Sequence, residues 1–145
     1  MNLDVFEYAL EKGVGIVVRT ALESGFLGGK YRPGLLFTTG HRSLYPPERQ
    51  EILLKRMEQI EKKAVKAPFE TIAQVAVKFS TAPETVSTLI VGARTAEQIN
   101  KLRHTMSLPE LDQDLMAWLI AEFGDKTESL NPSVNKPGVM KFKKP

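Results

Sequence analysis

Two short apolar runs constrain the fold of this chain more than any other feature of its sequence. Residues 14–18 (VGIVV) are rich in β-branched side chains and predict a strand buried on both faces; residues 88–91 (TLIV) predict a second short strand. Helical segments separate the two runs, which predicts parallel strands joined by helical crossovers. Two parallel strands cannot close a sheet, and buried strands with unpaired edges invite pairing with another chain. The sequence therefore predicts an α/β fold that forms one piece of a larger parallel sheet.

The periodicity of the remaining apolar residues predicts helices around these strands. The predicted helical segments are 5–12, 48–66, 70–80, 96–104 and 112–123. Thr95 and Gln98 have the spacing of a capping box, which places a helix start at Ala96. A polar, glycine-rich stretch from Thr20 to about Pro46 predicts a long loop, and loops of that length are usually functional or disordered.

Composition excludes several classes of protein. The 145 residues fit one domain, and 42% hydrophobic with 26% charged residues is typical of a globular chain. No apolar run is long enough to span a bilayer, so no membrane role is expected, and the acidic, amphipathic N-terminus does not resemble a secretory signal. The absence of cysteine excludes disulfides, thiolate catalysis and cysteine-based zinc sites, and predicts a cytoplasmic protein. His41 and His104 lie far apart, so a metal site is not expected.

The net charge of +3 comes from the end of the chain. Residues 125–145 are predicted to form an extended basic tail. After Asp125 this tail contains five lysines and one acidic residue, Glu128. The preceding body, residues 1–124, is close to neutral, so its charge does not indicate a nucleic-acid-binding surface.

One stretch nevertheless has the spacing of a helix-turn-helix DNA-binding motif. Within residues 70–89, Ala76, Ser80, Val86 and Leu89 occupy the expected crossing, turn and core positions. The segment that would be the recognition helix, residues 83–92, contains no Arg, Asn or Gln to read bases, and its β-branched run favours a strand. DNA binding through this segment stays open as an alternative hypothesis.

Two longer segments resemble the aldo/keto reductase family. Residues 16–31 (IVVRTALESGFLGGKY) are similar to the seventh strand and following loop of that family, and residues 71–102 to the stretch from its seventh helix through the eighth strand into the eighth helix. The similarity covers about residues 3–124. The family fold is a TIM barrel with its chemistry at the carboxyl ends of the strands. The resemblance implies that residues 1–124 form a partial (β/α) barrel, with its last two strands and their helices.

The resemblance also implies NADPH-dependent carbonyl reduction and a set of cofactor contacts. Arg19 stands where the family stacks a side chain on the nicotinamide; a simple ion pair at a strand end is the alternative. The loop that crosses the pyrophosphate in the family corresponds here to Thr20, Leu22 and Ser24.

The segment that holds the adenosine 2′-phosphate in the family corresponds to Gly92, Ala93, Arg94, Thr95 and Gln98. The residues themselves support an anion site there, because a helix N-terminus and an arginine both favour phosphate. A tight turn with a solvated arginine is the alternative. Lys101 and Leu102 stand where the family usually has a Glu-Asn pair against the adenine.

The family's catalytic Asp, Tyr, Lys and His lie on earlier strands, and no segment of this chain matches their motifs. Tyr8, Tyr31 and Tyr45 are candidates by residue type only, and none is assigned as proton donor. The first hypothesis is an incomplete reductase that is not catalytic as this chain alone. The second is a non-enzymatic descendant of the family. The first predicts a complementing chain and the second a homo-oligomer, joined in either case through the exposed strand edges.

Overall fold

The computed structural model describes residues 3–123, so the predicted basic tail at 125–145 lies outside the described residues. The helices and strands, in chain order, are α1 (Leu3–Lys12), β1 (Ile16–Arg19), α2 (Pro47–Ala64), α3 (Ile72–Thr81), β2 (Val86–Ile90), α4 (Ala96–Ser107) and α5 (Gln113–Phe123). Two 3₁₀ helices, Glu23–Gly28 and His41–Leu44, interrupt the loop between β1 and α2. Each predicted helix and strand is present, with boundaries that shift by a few residues.

The two strands form a parallel pair, as the sequence predicts. Val17 pairs with Thr88, Val18 with Leu89 and Arg19 with Ile90, after an irregularity between Ile16 and Val17. Within residues 3–123 the sheet has only these two strands, so each strand keeps one unpaired edge. The fold is thus α/β with a small parallel sheet.

The prediction that the first strand is buried on both faces is wrong for this part of the chain. Val17 is 56% exposed, and Ile90 on β2 is 61% exposed. Val86 is the one strand residue that is buried in the described range. The physical reason is that α3 packs against one side of β2, whereas nothing among residues 3–123 covers the opposite face.

The hydrophobic core lies between helices rather than around the sheet. One cluster joins the end of α2 to α3 and α5, and includes Ala64, Val75 and Leu119. A second cluster joins α2 to the loop after β1, and includes Phe26, Leu54, Met57 and Ile72. Because α3 contributes to both clusters, it is the central element of the fold.

Side-chain caps begin three of the helices. The Thr95 hydroxyl accepts a hydrogen bond from the Gln98 N–H at 3.2 Å, which confirms the predicted start of α4. The start of α3 has a complete capping box that the sequence reading did not name, between Thr71 and Gln74. At α5, the Asp112 carboxylate accepts from the Leu115 N–H at 2.7 Å. These contacts satisfy donors that a helix leaves unpaired in its first turn.

The structure contradicts the helix-turn-helix interpretation. The segment that would have to be the recognition helix contains β2 (Val86–Ile90), which pairs with β1 over its length. Its β-branched residues favour the strand, as their intrinsic preference suggests. Among the described residues, no helix is both long and apolar enough to cross a membrane.

Candidate functional site

The carboxyl ends of the two strands lie side by side, and the loops that follow them enclose a cleft. The last pair in the sheet register is Arg19 with Ile90, so the loops that follow the two strands start at the same end of the sheet. The cleft has a volume of about 320 Å³. Its lining residues are Thr20, Ala21, Leu22, Ser24, Gly25, Arg42, Ile90, Val91 and Gly92. Two segments that are far apart in sequence, both singled out as candidate cofactor contacts, therefore share one cleft.

The loop after β1 holds ordinary residues in a backbone conformation that favours glycine. Thr20, Glu23 and Ser24 have φ angles of 64°, 43° and 53°. Left-handed backbone costs an L-residue roughly 1–2 kcal/mol. Two hydrogen bonds hold the loop, from the Glu23 N–H to the Thr20 carbonyl and from the Gly25 N–H to the Leu22 carbonyl, both 2.8 Å. Strain of this kind is concentrated at functional sites, so it supports the cleft as one.

Arg42 is a cleft residue that the sequence reading missed. Its guanidinium lies over the ring of Tyr31, 4.8 Å from the centroid, and over the ring of Phe37 at 5.3 Å. Its Nε is buried and has no hydrogen-bond partner within the described residues. Arg42 also lines the cleft, and a planar guanidinium there suits an anion such as phosphate, which accepts several hydrogen bonds at once.

Gly25 allows Arg42 to come this close to the strained loop. A Cβ atom at position 25 would lie 2.6 Å from the Arg42 Nη2, and the φ of Gly25 is +88°. Both space and backbone conformation therefore require glycine at this position. The sequence held one signal of this packing, namely that the polar loop also contains Phe26, Tyr31 and Phe37, which cluster in the structure.

Arg94 lies on an exposed turn beside the cleft, immediately before α4. Its N–H donates to the Gln98 Oε1 at 2.7 Å, so the Gln98 oxygen is already used to shape this turn. Ala93 and Thr95 are also exposed and, like Arg94 and Gln98, are not among the lining residues of the cleft. This part of the candidate site is an open helix N-terminus rather than an enclosed pocket.

Positive side chains surround the first turn of α4. The pKa of Glu97 is lowered, first by its hydrogen bond from Lys101 and then by the charges of Lys101 and Lys30. Lys30 comes from the loop after β1, so both candidate segments bring cations to this corner. Because Lys101 is paired with Glu97 at 2.7 Å, it is turned toward its own helix.

Arg19 extends from the end of β1 and is exposed. Among residues 3–123 it has no salt bridge, so the alternative that it pairs with a carboxylate is not seen. It occupies the last position of β1, paired with Ile90, at the end of the sheet where the cleft lies.

The cleft lining contains no residue of the types that donate protons in carbonyl reduction at neutral pH. None of its residues is Tyr, His, Lys, Asp or Glu. Tyr45 lies nearby, with its hydroxyl 3.2 Å from the Ser24 Oγ, but it does not line the cleft. Residues 3–123 also contain no cluster of three His, Asp or Glu side chains that could hold a metal ion.

Comparison with known proteins gives one finding about identity. The model of the aldo/keto reductase family matches residues 2–120 of the chain. No curated protein matches it significantly. The matched region contains both strands, the cleft and α4, in the order that the sequence resemblance implies. The chain belongs to the aldo/keto reductase family.

Proposed function

We propose that this chain supplies the dinucleotide-binding end of an NADPH-dependent aldo/keto reductase. The observation that carries the proposal is the cleft at the carboxyl ends of β1 and β2, which Arg42 lines together with the strained loop after β1. Ligands of parallel α/β barrels bind at this edge of the strands. The NADPH, when bound, supplies a hydride to a carbonyl carbon, and the protein orients it.

The residues of the chain divide into two phosphate-binding groups. Arg42, together with the loop from Thr20 to Ser24, fits the pyrophosphate, because the guanidinium and the loop line the same cleft. Arg94 and the N-terminus of α4 fit the adenosine 2′-phosphate, since they combine a charged fork with the positive end of a helix. Arg19, at the end of β1, is the residue that would face the nicotinamide.

We propose further that the chain is not catalytic by itself. The cleft lining lacks a proton donor of the kind the family uses, and within residues 3–123 both strands have an unpaired edge. Parallel sheets are normally covered on both faces, whereas the face carrying Val17 and Ile90 is open among the described residues. The remaining strands of a (β/α)8 barrel would come from a complementing polypeptide, or a second copy of this chain would cover the edges.

Titration with NADPH, followed by the fluorescence of the cofactor, tests the proposal. Arg42→Ala should weaken binding by about 1.5–3 kcal/mol, the range for a hydrogen bond to a charged group. Arg94→Ala should weaken NADPH binding but leave NADH binding unchanged, because NADH lacks the 2′-phosphate. Arg103→Ala is the matched control, since Arg103 is an exposed cation on α4, the helix that follows Arg94, and does not line the cleft.

The same titration separates the second candidate function. A descendant that has lost cofactor binding would show no binding at an NADPH concentration of about 1 mM. A dissociation constant of about that size corresponds to a binding free energy of about −4 kcal/mol. The specific observation that favours this candidate is Lys101, which is tied to Glu97 where the family places an adenine contact. Binding that is abolished equally by all three arginine substitutions would indicate charge attraction alone and would contradict both phosphate assignments.

A further inference from the structure

The side chain of Gln50, near the start of α2, is buried and forms hydrogen bonds through both its oxygen and its nitrogen. Gln50 is 1% exposed. Its Oε1 accepts a hydrogen bond from the Phe37 N–H at 2.8 Å. Its Nε2 donates to the Phe37 carbonyl at 3.3 Å and to the Tyr45 carbonyl at 2.8 Å. Both amide hydrogens and the oxygen therefore bind backbone of the preceding loop.

The two residues that Gln50 binds lie on either side of Arg42 in the chain. Phe37 precedes the short 3₁₀ helix that carries Arg42, and Tyr45 directly follows it. One side chain thus closes the segment from 37 to 45 at both ends and holds it to α2. The next residue, Glu51, adds a further attachment by accepting from the Gly34 N–H at 2.9 Å.

The same two residues also form the surroundings of Arg42 and of the strained loop. The Phe37 ring lies under the guanidinium, and the Tyr45 hydroxyl meets Ser24. A shift of the 37–45 segment would therefore move the cation and its support together. We propose that Gln50 is a positioning residue for the cofactor, which acts by setting the place of Arg42 in the cleft. This inference rests on the proposed function.

A purely structural role makes a different prediction. If Gln50 served only to satisfy buried backbone groups, its loss would lower stability and would affect cofactor binding equally with or without Arg42. If it acts through Arg42, its loss weakens binding only while Arg42 is present. A double-mutant cycle on binding separates these cases, because the coupling between two residues is what such a cycle measures.

The cycle uses the full chain and the variants Gln50→Met, Arg42→Ala and the pair combined. Methionine has a volume close to that of glutamine and removes all three hydrogen bonds, so the variant keeps the packing while losing the attachment. The probes are NADPH and, separately, inorganic pyrophosphate, each titrated by calorimetry. We expect Gln50→Met to weaken the binding of both probes about tenfold, which corresponds to 1.4 kcal/mol, and to have no further effect in the Arg42→Ala background.

Gln74 supplies a matched control. It is also a buried glutamine, 8% exposed, whose oxygen accepts from the N–H groups of Glu70 and Thr71, but it lies at the start of α3 and does not line the cleft. Gln74→Met should lower the midpoint of urea unfolding without changing pyrophosphate affinity. Hydrogen exchange at the Phe37 amide should accelerate in Gln50→Met and stay unchanged in Gln74→Met, which shows directly that the loop is released.

The outcomes separate the inference from the function on which it rests. If the unsubstituted chain binds neither probe, the proposed function fails. If it binds both and Arg42→Ala weakens binding, but Gln50→Met has the same effect in both backgrounds or none in either, the positioning role is overturned. If Gln50→Met does not fold, Gln50→Asn replaces it. The asparagine side chain is one methylene shorter, so it keeps a polar amide but moves it away from its hydrogen-bond partners.

Discussion

Gly25→Ala, compared with Gly34→Ala, should separate the effect of backbone strain from the effect of a displaced arginine. At a φ of +88°, alanine costs roughly 1–2 kcal/mol of unfolding free energy. The added Cβ would also lie 2.6 Å from the Arg42 Nη2, nearly 1 Å closer than an ordinary van der Waals contact. That nitrogen is the end of a flexible side chain, so we expect the guanidinium to move rather than the fold to break.

The displaced guanidinium would leave its place over Tyr31 and its position in the cleft. A cation–π contact of this kind contributes about 0.5–2 kcal/mol. We therefore expect Gly25→Ala to lower the unfolding free energy by about 1.5–4 kcal/mol in total, and to weaken NADPH binding about as much as Arg42→Ala does. Urea denaturation measures the first quantity, and fluorescence titration of the cofactor the second.

Gly34 is the matched control for this experiment. Its φ is +87°, but a Cβ there meets no atom within 4 Å. Gly34→Ala should show the strain cost and leave cofactor affinity unchanged. Equal loss of affinity in the two alanine variants would mean that general softening of the loop, rather than the position of Arg42, determines binding, and would refute the reasoning.

Three further predictions concern stability and association. Glu110→Ala should cost about 1.5–3 kcal/mol in urea unfolding, the range for a hydrogen bond to a charged group, because it leaves the buried Lys78 ammonium without its partner at 2.7 Å, whereas Lys78→Met should cost less; equal losses would contradict this. The pKa of Glu51 lies below its ordinary value of 4.5, chiefly because of the Gly34 N–H, so its stabilisation is present above pH 4.5 and is lost as the pH falls through the lowered pKa. Glu51→Gln should therefore flatten the loss of stability below pH 4.5, and an unchanged acid limb would argue against it. Size-exclusion chromatography should show a dimer or larger species that Val17→Lys dissociates, since Val17 lies on the open face of the sheet; a monomeric unsubstituted chain would contradict the edge argument.

Local signals in the sequence predict the elements of this fold well. The β-branched runs become the two strands, and the Thr95 cap begins α4, because both depend on neighbouring residues alone. The parallel direction follows from the helical crossover between the strands. The exposure of Val17 was not predictable in this way, since it depends on what covers that face of the sheet rather than on β1 itself.

The candidate site was predictable only where a family motif marks it. Thr20, Leu22, Ser24 and Gly92 come from such motifs, and the structure places all four around the cleft. Arg42 belongs to no motif that was recognised, and its place depends on how the loop packs against α2. Gln50 is harder still, because on a charged helix such as α2 a glutamine reads as a surface residue unless the loop above it is known.

The location of the core between α2, α3 and α5 affects how such a barrel could arise from separate pieces. In a closed cylinder the outer helical layer and the inner strand layer usually depend on each other. Here the helices pack mainly against one another and against the loop after β1, through residues such as Leu54, Val75 and Leu119, and neither hydrophobic cluster includes a strand residue. A cut between strands would leave these helix contacts intact, so we expect the helices of this chain to keep their packing when the neighbouring strands are supplied by another polypeptide.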